Sequence, residues 1–492
     1  MKFRKGVTCR SENLIFTDII HDYYETPVEQ IYFTSRKTQK GRNMSEKVMN
    51  RWLVVIGAIL IQLALGAIYA WGVFTKPLTD AAGIYKFTAV QTAWVFSLGL
   101  ATFAVVMVLA GRWQAKVGPR PVAIMGGVIL GLGYILAGFF GSSFGAQLVL
   151  IGIIGGAGIG LAYVVPIAVL VKWFPDMKGL ITGLAVAGFG FGATIWVKAG
   201  GAWFNLVETL NLFGLPPVQS TFVLYGIVFI IMVVLGGLVM VNPPEGWLPE
   251  GWTPPKAEDA KVSATGSVNF TSKQMLKTPQ FFMIWSVFVL SGLAGLMVIY
   301  CIKLFGIDAI KFTNGWTASM DAEKSKSIID AAGAVAGTAL AWYAILNGLG
   351  RITWGTVSDK IGRKNAIIAM TLFQALAMFS FYYIGGTAAG LIIGASIIGF
   401  NFGGNFALFP AVTADFFGNK NVGLNYGWIF LAYGVAGIAG PQIAGYFKDA
   451  ATGATDASAW LMPFIIAGVG CVIGAVIMMI AKPPVLKESP DA

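Results

Sequence analysis

The stretch "GTVSDKIGRK" (residues 355–364) ends a long apolar segment in a cluster of charged residues, and a similar stretch, "GRWQAKVGPR", occupies residues 111–120. Matching residues continue beyond both stretches at a constant spacing of 244 positions. The matched pairs are Gly111 and Gly355, Lys116 and Lys360, Gly118 and Gly362, Gly155 and Gly399, Pro166 and Pro410, and Gly179 and Gly423. These six pairs occur in one order across three apolar segments, which predicts that the second half of the chain repeats the first in the same direction.

The composition indicates the broad class of the protein. Of the 492 residues, 56% are hydrophobic and only 12% are charged, whereas soluble domains carry roughly 25% charged residues. A helix of about 20 apolar residues is long enough to cross the ~30 Å hydrocarbon core of a bilayer. The sequence therefore predicts an all-α integral membrane protein with the lipid bilayer as its surroundings.

Twelve apolar segments are long enough to be transmembrane helices. They lie near residues 51–74, 90–110, 121–140, 146–171, 179–203, 221–241, 280–305, 334–357, 366–385, 389–413, 424–446 and 459–481. A stretch rich in proline, glycine and charge separates the sixth from the seventh, which is typical of a linker. The predicted division is a polar tail (1–49), a first six-helix half (50–241), a cytoplasmic linker (242–279), a second six-helix half (280–482) and a C-terminal tail (483–492).

The basic residues indicate the orientation. The formal net charge is +11, which in a soluble chain could suggest a nucleic-acid partner, but here most basic residues lie in short loops between apolar segments. Those that follow even-numbered helices are Arg112, Lys116, Arg120, Lys172, Lys178, Lys360, Arg363 and Lys364. Cytoplasmic loops are enriched in such residues. The sequence thus predicts two cytoplasmic termini, a location in the plasma (inner) membrane and no nucleic-acid partner.

The ends of the chain and its cysteines carry little chemistry. Residues 1–43 are polar and lack the apolar core of a signal peptide, and Met44 precedes the first apolar segment closely, so we interpret Met44 as the initiator. The alternative is a genuine cytoplasmic tail. The cysteines at positions 9, 301 and 471 show no metal-ligand or redox spacing. No metal, cofactor or catalytic constellation is predicted, and the chain is not expected to be an enzyme.

Two parallel six-helix halves around a site near the membrane midplane form the major facilitator architecture, and the two stretches quoted above resemble the loop signatures of that superfamily. The first stretch departs from the signature because Ala115 stands where an acidic residue is usual. The resemblance implies a conformational latch formed by Gly111, Lys116, Gly118, Arg120, Asp359, Lys360, Gly362 and Arg363, with Asp359 as its main acid. The alternative is that these charges only set the topology.

More narrowly, the chain resembles the oxalate/formate antiporter family, which is related to the monocarboxylate transporters. The motifs that carry the resemblance are "GAIYAWGVF", "GIGLAYVVP", "NGLGRITWG", "FALFPAVTADFFG" and "NYGWIF", and the similarity covers roughly residues 50–482. The resemblance implies secondary transport of a small organic anion by alternating access. A more remote alternative is a transporter-like sensor that binds the anion without moving it.

Arg351 is a charged residue inside an apolar segment, and its charge needs a partner. Eight residues at ~1.5 Å rise place it about 12 Å inside the helix end that carries Asp359, where a charge costs at least ~2.5 kcal/mol. The central portions of the apolar segments contain no Asp or Glu. We therefore infer that an anionic substrate is its partner, because a guanidinium matches a carboxylate in bidentate fashion. The alternatives are snorkelling and bonding to helix carbonyls.

Further site residues follow from position or from the resemblance. Asn347 lies four residues before Arg351 on the same helical face, and it resembles a proton-linked aspartate of animal monocarboxylate transporters but cannot titrate. The resemblance implies that Tyr69 and Tyr163 donate to the substrate and that Phe402 and Phe430 form aromatic walls of the site.

The eleventh segment bears on the charge of the substrate. Oxalate carriers have a lysine there, whereas this chain has Tyr433 or a neighbour at that place and no Lys or Arg between Lys420 and Lys448. Tyr433 is therefore counted among the predicted substrate-binding residues. A dianion beside one arginine would leave a carboxylate uncompensated, which favours a monocarboxylate of the lactate, pyruvate, formate or acetate class. The alternative is an oxalate:formate-type dicarboxylate antiporter.

Three further charged residues are considered for coupling and entry. Asp308 follows the seventh segment and is the nearest candidate for a coupling carboxylate. For the protein as a whole, proton symport and anion exchange are both left open. Lys198 and Lys303 lie late in their segments, where snorkelling to the outer surface is the simpler explanation and an external anion funnel is the alternative. We expect the protein to function as a monomer.

Overall fold

The structure is a computed structural model that describes residues 49–174, 176, 178–244, 247–251, 269–418, 421–451 and 456–484. Throughout these residues the regular structure is helical, and twelve helices are long and apolar enough to cross a membrane. We number them α1 (Arg51–Thr79), α2 (Ala89–Gln114), α3 (Pro119–Phe140), α4 (Phe144–Leu170), α5 (Gly183–Trp203), α6 (Pro217–Leu238), α7 (Pro279–Thr313), α8 (Ala322–Ile361), α9 (Arg363–Ile384), α10 (Ala388–Phe417), α11 (Leu424–Ala450) and α12 (Ser458–Ile480). The interpretation of Met44 concerns residues outside this description.

The repeat seen in the sequence recurs in the backbone. Gly118 and Gly362, which are 244 positions apart, precede α3 and α9 with φ of 88° and 86°. This conformation suits glycine because a Cβ atom disfavours it. Pro166 and Pro410 likewise both lie inside helices, α4 and α10. The two halves therefore use the same turn and the same helix interruption at corresponding positions.

Several helices extend further than the sequence predicted. Helix α7 continues to Thr313 and α8 begins at Ala322, whereas the apolar segments end at 305 and begin at 334. The expectation that Asp308 lies beyond the seventh helix is therefore wrong, because Asp308 lies within α7 and is 6% exposed. The physical reason is that Asp308 is neutralised by ion pairs with Lys311 and Lys448, so its charge does not end the helix.

Helices α8 and α10 pack with their backbones in direct contact along a line of three glycines. A Cβ atom added to Gly350 would lie 1.9 Å from the Phe400 carbonyl oxygen, and one added to Gly403 would lie 2.0 Å from the Asn347 oxygen. At Gly399 the corresponding distance is 2.3 Å, to the oxygen of Tyr343. We call this line, Gly350, Gly399 and Gly403, the glycine seam. It fixes the height and rotation of α8 relative to α10.

Polar contacts between the halves concentrate at one end of the bundle. We call the end that carries residues 115–120 and 359–364 the basic-loop face, and the other end the opposite face. At the opposite face, Lys76 of α1 pairs with Asp330 of α8 at 2.9 Å. The backbone nitrogens of Ala89 and Val90, at the start of α2, donate to the Asp449 carboxylate of α11 at 2.7 and 2.8 Å. The halves are thus held together at the opposite face.

Replacing Asp449 by alanine is expected to loosen this contact. The carboxylate accepts two backbone N–H groups that the first turn of a helix cannot satisfy internally, and loss of such a cap costs about 1–2 kcal/mol. Hydrogen–deuterium exchange of the amides of residues 89–96 should accelerate several-fold in Asp449→Ala. Asp456→Ala, an exposed carboxylate at the same face, is the matched control. Unchanged exchange at residues 89–96 would show that the Asp449 contact does not hold the halves.

Candidate functional site

Arg351 lies between the two halves and is almost completely buried, with 4% of its surface exposed. Its Nε and Nη2 donate to Asn347 Oδ1 at 3.3 and 3.1 Å, and its Nη1 donates to the Val186 carbonyl oxygen of α5 at 3.2 Å. Within the described residues, no carboxylate lies within ion-pair distance of the guanidinium. The charge is therefore held by neutral oxygens alone.

Asn347 orients the arginine. Its Nδ2 donates to the Gly399 carbonyl oxygen of α10 at 3.4 Å, which turns its oxygen toward the guanidinium. Gly399 belongs to the glycine seam, so the close packing of α8 on α10 brings this acceptor within reach. The residue that accepts from Arg351 is thus itself fixed by the adjoining helix, and a neutral amide there does not compensate the positive charge.

Several buried tyrosines lie near the arginine. The hydroxyls of Tyr69 in α1 and Tyr433 in α11 are hydrogen-bonded to each other at 2.8 Å, which links the first half to the second. Both tyrosines are buried. The guanidinium charge also acts through space on the hydroxyls of Tyr69, Tyr163 and Tyr433. The site therefore combines one fixed positive charge with several hydroxyl groups that can donate to an anion.

The predicted aromatic walls lie in the same cluster. The Phe402 ring is 6.1 Å from that of Tyr69, and the Phe430 ring is 5.0 Å from that of Tyr433. Tyr163 is stacked with Phe430 at 6.4 Å. The structure thus brings together all seven side chains that the sequence analysis assigned to substrate binding: Tyr69, Tyr163, Asn347, Arg351, Phe402, Phe430 and Tyr433.

Phe406 is a residue of the site that the sequence analysis missed. Its ring lies 4.2 Å from the Arg351 guanidinium carbon, close enough for a cation–π interaction. It also packs against Phe402 at 5.4 Å and Tyr433 at 5.6 Å. Because Phe406 lies four residues after Phe402 on the same face of α10, the helical spacing was the signal that could have revealed it.

The residues assigned to the latch lie at the basic-loop face, apart from the Arg351 site. Asp359 pairs with Arg363 at 2.5 Å, and both belong to the second half. Arg363 also donates to the Gly355 carbonyl oxygen at 3.4 Å. Lys116, Arg120 and Lys360 are exposed. In this conformation the described contacts of Asp359 stay within one half, so the inter-half latch remains a prediction.

Asp308 and Lys303 lie toward the opposite face. Asp308 lines a cavity of about 530 Å³ and accepts from Trp460 Nε1 at 3.0 Å in addition to its two lysine partners. Lys303 is 7% exposed and donates to the Val73 carbonyl oxygen at 3.4 Å. The expectation that Lys303 snorkels to the outer surface is therefore wrong, because its ammonium group is directed inward between α7 and α1.

Comparison with known proteins gives one family and several relatives. The family model described as Major Facilitator Superfamily matches residues 49–322 and 324–492. An uncharacterized MFS-type transporter of Escherichia coli (strain K12), YhjX, is 29% identical, over 79% of this chain and 86% of its own. The oxalate:formate antiporter of Oxalobacter formigenes is 27% identical, over 80% and 83%. The apicoplast pyruvate carrier 1 of Toxoplasma gondii is 24% identical, over 77% and 81%.

Solved structures agree with the fold. A bacterial homolog of the human lysosomal transporter Spinster, in an inward-facing and unoccupied conformation, superposes with a TM-score of 0.61 at 15% identity, and the match covers 87% of this chain and 96% of that one. The nucleoside transporter NupG superposes with a TM-score of 0.58 at 14% identity, covering 88% and 98%. At these identities the likeness concerns the arrangement of helices and not the substrate.

Proposed function

The chain belongs to the major facilitator superfamily, and from this we propose that it is a secondary transporter of small monocarboxylates. It is a multi-pass membrane protein, and the relatives that it matches are transporters and not enzymes. The proposed substrates are formate, acetate, lactate and pyruvate. The proposed location is the plasma (inner) membrane with both termini cytoplasmic, and the proposed functional unit is the monomer.

One observation carries the proposal: a buried arginine between the halves has no acidic partner among the described residues. A buried charge is stable only when it is paired and hydrogen-bonded. A carboxylate can accept two parallel N–H bonds from a guanidinium, and the hydroxyls of Tyr69 and Tyr433 can donate to its oxygens. A small monocarboxylate would supply the negative charge that no described residue places beside Arg351.

The charge at the site favours a monoanion over a dianion. We place Tyr433 or a neighbour at the position of the second cation of oxalate carriers, and Tyr433 offers a hydroxyl rather than a charge. A second carboxylate in this buried site would be left without a counter-charge, which is strongly unfavourable. The 27% identity with the oxalate:formate antiporter keeps dicarboxylate exchange as the second candidate. The pyruvate carrier among the relatives is in line with the monocarboxylate proposal.

The proposed mechanism is alternating access, in which the halves rock about the fixed site. An arriving carboxylate would exchange the Tyr69–Tyr433 hydrogen bond for bonds to itself, and this would free the halves to move. The Asp359 loop would latch the basic-loop face when it closes. Without a bound anion, the positive charge of Arg351 would have no counter-charge during the conformational change, so the empty carrier should change conformation slowly. This favours anion exchange or symport of the acid with a proton. Asp308 is the proposed coupling carboxylate for the second route, and taking up a proton would require it to give up its ion pairs with Lys311 and Lys448.

Uptake by purified protein in proteoliposomes tests the proposal. We expect saturable uptake of labelled formate or lactate that is accelerated by the same acid inside the vesicles, and weak uptake of labelled oxalate. Imposing a pH gradient distinguishes symport from exchange. Oxalate uptake exceeding that of every monocarboxylate would contradict our interpretation of Tyr433. Binding of the acids without any uptake would favour a sensor.

A further inference from the structure

A second cavity, of about 320 Å³, lies between the halves toward the opposite face. Its walls come from both halves: α1 and α5 of the first, and α7 and α8 of the second. The charged residues that line it are Lys76, Lys198, Glu208, Lys303 and Asp330. With three lysines and two carboxylates, this cavity has one positive charge in excess. The ion pairs show which lysines lack a carboxylate partner.

Both carboxylates form ion pairs with the same lysine, Lys76. Lys76 Nζ pairs with Asp330 at 2.9 Å and with Glu208 at 3.5 Å. Glu208 also accepts from Asn205 Nδ2 at 3.1 Å. Burial opposes the charge on Glu208, but the Asn205 hydrogen bond and the charges of Lys76 and Lys303 lower the pKa of its carboxyl below the ordinary value. Glu208 is therefore ionised at neutral pH and directed to Lys76.

In the part of the chain that the structure describes, Lys303 and Lys198 have no carboxylate within ion-pair distance. Among the described residues, Lys303 makes one hydrogen bond, at 3.4 Å to the Val73 carbonyl oxygen, although the residue is 93% buried and an ammonium group has three N–H donors. Lys198 Nζ donates to the hydroxyl of Thr338 at 3.0 Å. Neither lysine forms an ion pair with any described carboxylate. Lys76 and its two carboxylates together carry a net charge of −1, so the cavity's excess positive charge comes from Lys303 and Lys198.

The cavity also has room for a ligand. Gly201 of α5 and Gly337 of α8 both line it, and a Cβ atom added to either would meet nothing within 4 Å. Gly337 precedes Arg351 by 14 positions, which corresponds to roughly 21 Å along α8. This space is thus separate from the arginine site, and it lies between the halves at the end where they are held together.

We propose that this cavity is a second anion-binding site, in which Lys303 and Lys198 hold a small monovalent anion between the halves. An anion there would supply the charge and the hydrogen-bond acceptors that Lys303 lacks. Two sources share this chemistry, a small carboxylate in passage and an inorganic anion such as chloride. The existence of this second site does not depend on the proposed function. Only the idea that its anion is also the transported substrate rests on that function.

The test uses the full chain with Gly337→Cys, labelled by N-ethylmaleimide and read by mass spectrometry of the peptide that contains position 337. The reagent is neutral, so ionic screening does not change its access to the thiol. We expect millimolar sodium formate or sodium chloride to slow labelling several-fold relative to osmotically matched sucrose. Stronger protection by formate identifies the carboxylate as the preferred anion, and equal protection identifies a general small-anion site. Gly201→Cys, on the facing wall, replaces the first variant if that one fails to fold.

Three variant backgrounds make the result specific. Protection should disappear in Lys303→Met and persist in Lys324→Met, which removes an exposed lysine from α8. It should also persist in Arg351→Ala, where the proposed transport site is lost, so the two hypotheses fail separately. Absence of protection by both anions, protection that survives Lys303→Met, or protection that is lost in Arg351→Ala would each overturn the proposal.

Discussion

Proteoliposomes that contain Arg351→Ala are expected to take up labelled formate or lactate at no more than about one hundredth of the wild-type rate. The guanidinium is the buried positive charge of the site, and charge-assisted hydrogen bonds contribute about 1.5–3 kcal/mol each. Losing one bidentate pair therefore corresponds to a factor of roughly 100 or more. The measurement is the initial rate of uptake at a substrate concentration below half-saturation.

Two variants control this result. Arg351→Lys keeps the charge but loses the planar fork, so we expect partial uptake with a raised half-saturation concentration. Arg112→Ala removes an exposed arginine at the basic-loop face and should leave the initial rate near that of the wild type. Uptake by Arg351→Ala within twofold of the wild type would exclude the arginine as the anion ligand and return the buried charge to a structural role.

The second large effect is expected at the glycine seam. In Gly403→Ala the new methyl group would lie 2.0 Å from the Asn347 carbonyl oxygen. Backbone atoms cannot rotate away as a flexible side chain can, so α10 must separate from α8. Overpacking a well-packed interior costs typically 1–3 kcal/mol, and we expect a cost at or above the upper end of that range. The melting temperature of the purified protein should fall by several degrees.

A matched glycine provides the control for the seam. A Cβ atom added to Gly145 of α4 meets nothing within 4 Å, so Gly145→Ala should melt at the wild-type temperature. Both melts can be followed by size-exclusion chromatography of heated samples. If Gly403→Ala and Gly145→Ala melt together, the close approach of α8 and α10 is not required for the fold.

The fold was largely predictable because its signals are local. Apolar segments of membrane length predict the helices, and the 244-residue spacing predicts the paired turns at Gly118 and Gly362. Helix ends were less predictable where a charged residue is neutralised by a distant one. Asp308 remains inside α7 because Lys448 lies beside it. Lys448 is far away in the sequence, so the seventh segment alone does not indicate this partner.

The sequence indicated which side chains meet at the candidate site, but it did not indicate the contacts between them. Arg351 and Asn347 follow from intramembrane polarity and from helical spacing. The hydroxyl pair of Tyr69 and Tyr433 joins residues that are 364 positions apart, and no local pattern specifies such a contact. Lys303 was misinterpreted for a similar reason. Its position late in a segment suggested the surface, whereas the neighbouring α1 backbone offers it an internal acceptor.

The glycine seam also limits where substitutions could change the substrate preference of this protein. On the α8–α10 side of Arg351 the two helix backbones are in direct contact. Even a methyl group added at the glycine seam would therefore displace the helix that carries Arg351 and Asn347. On the facing side, Tyr69, Tyr163 and Tyr433 meet their neighbours through ring contacts, which tolerate exchange of one side chain for another. Under the proposed function, substitutions that change the preferred acid are therefore expected in α1, α4 and α11, and mutant libraries for new substrates should target these three helices.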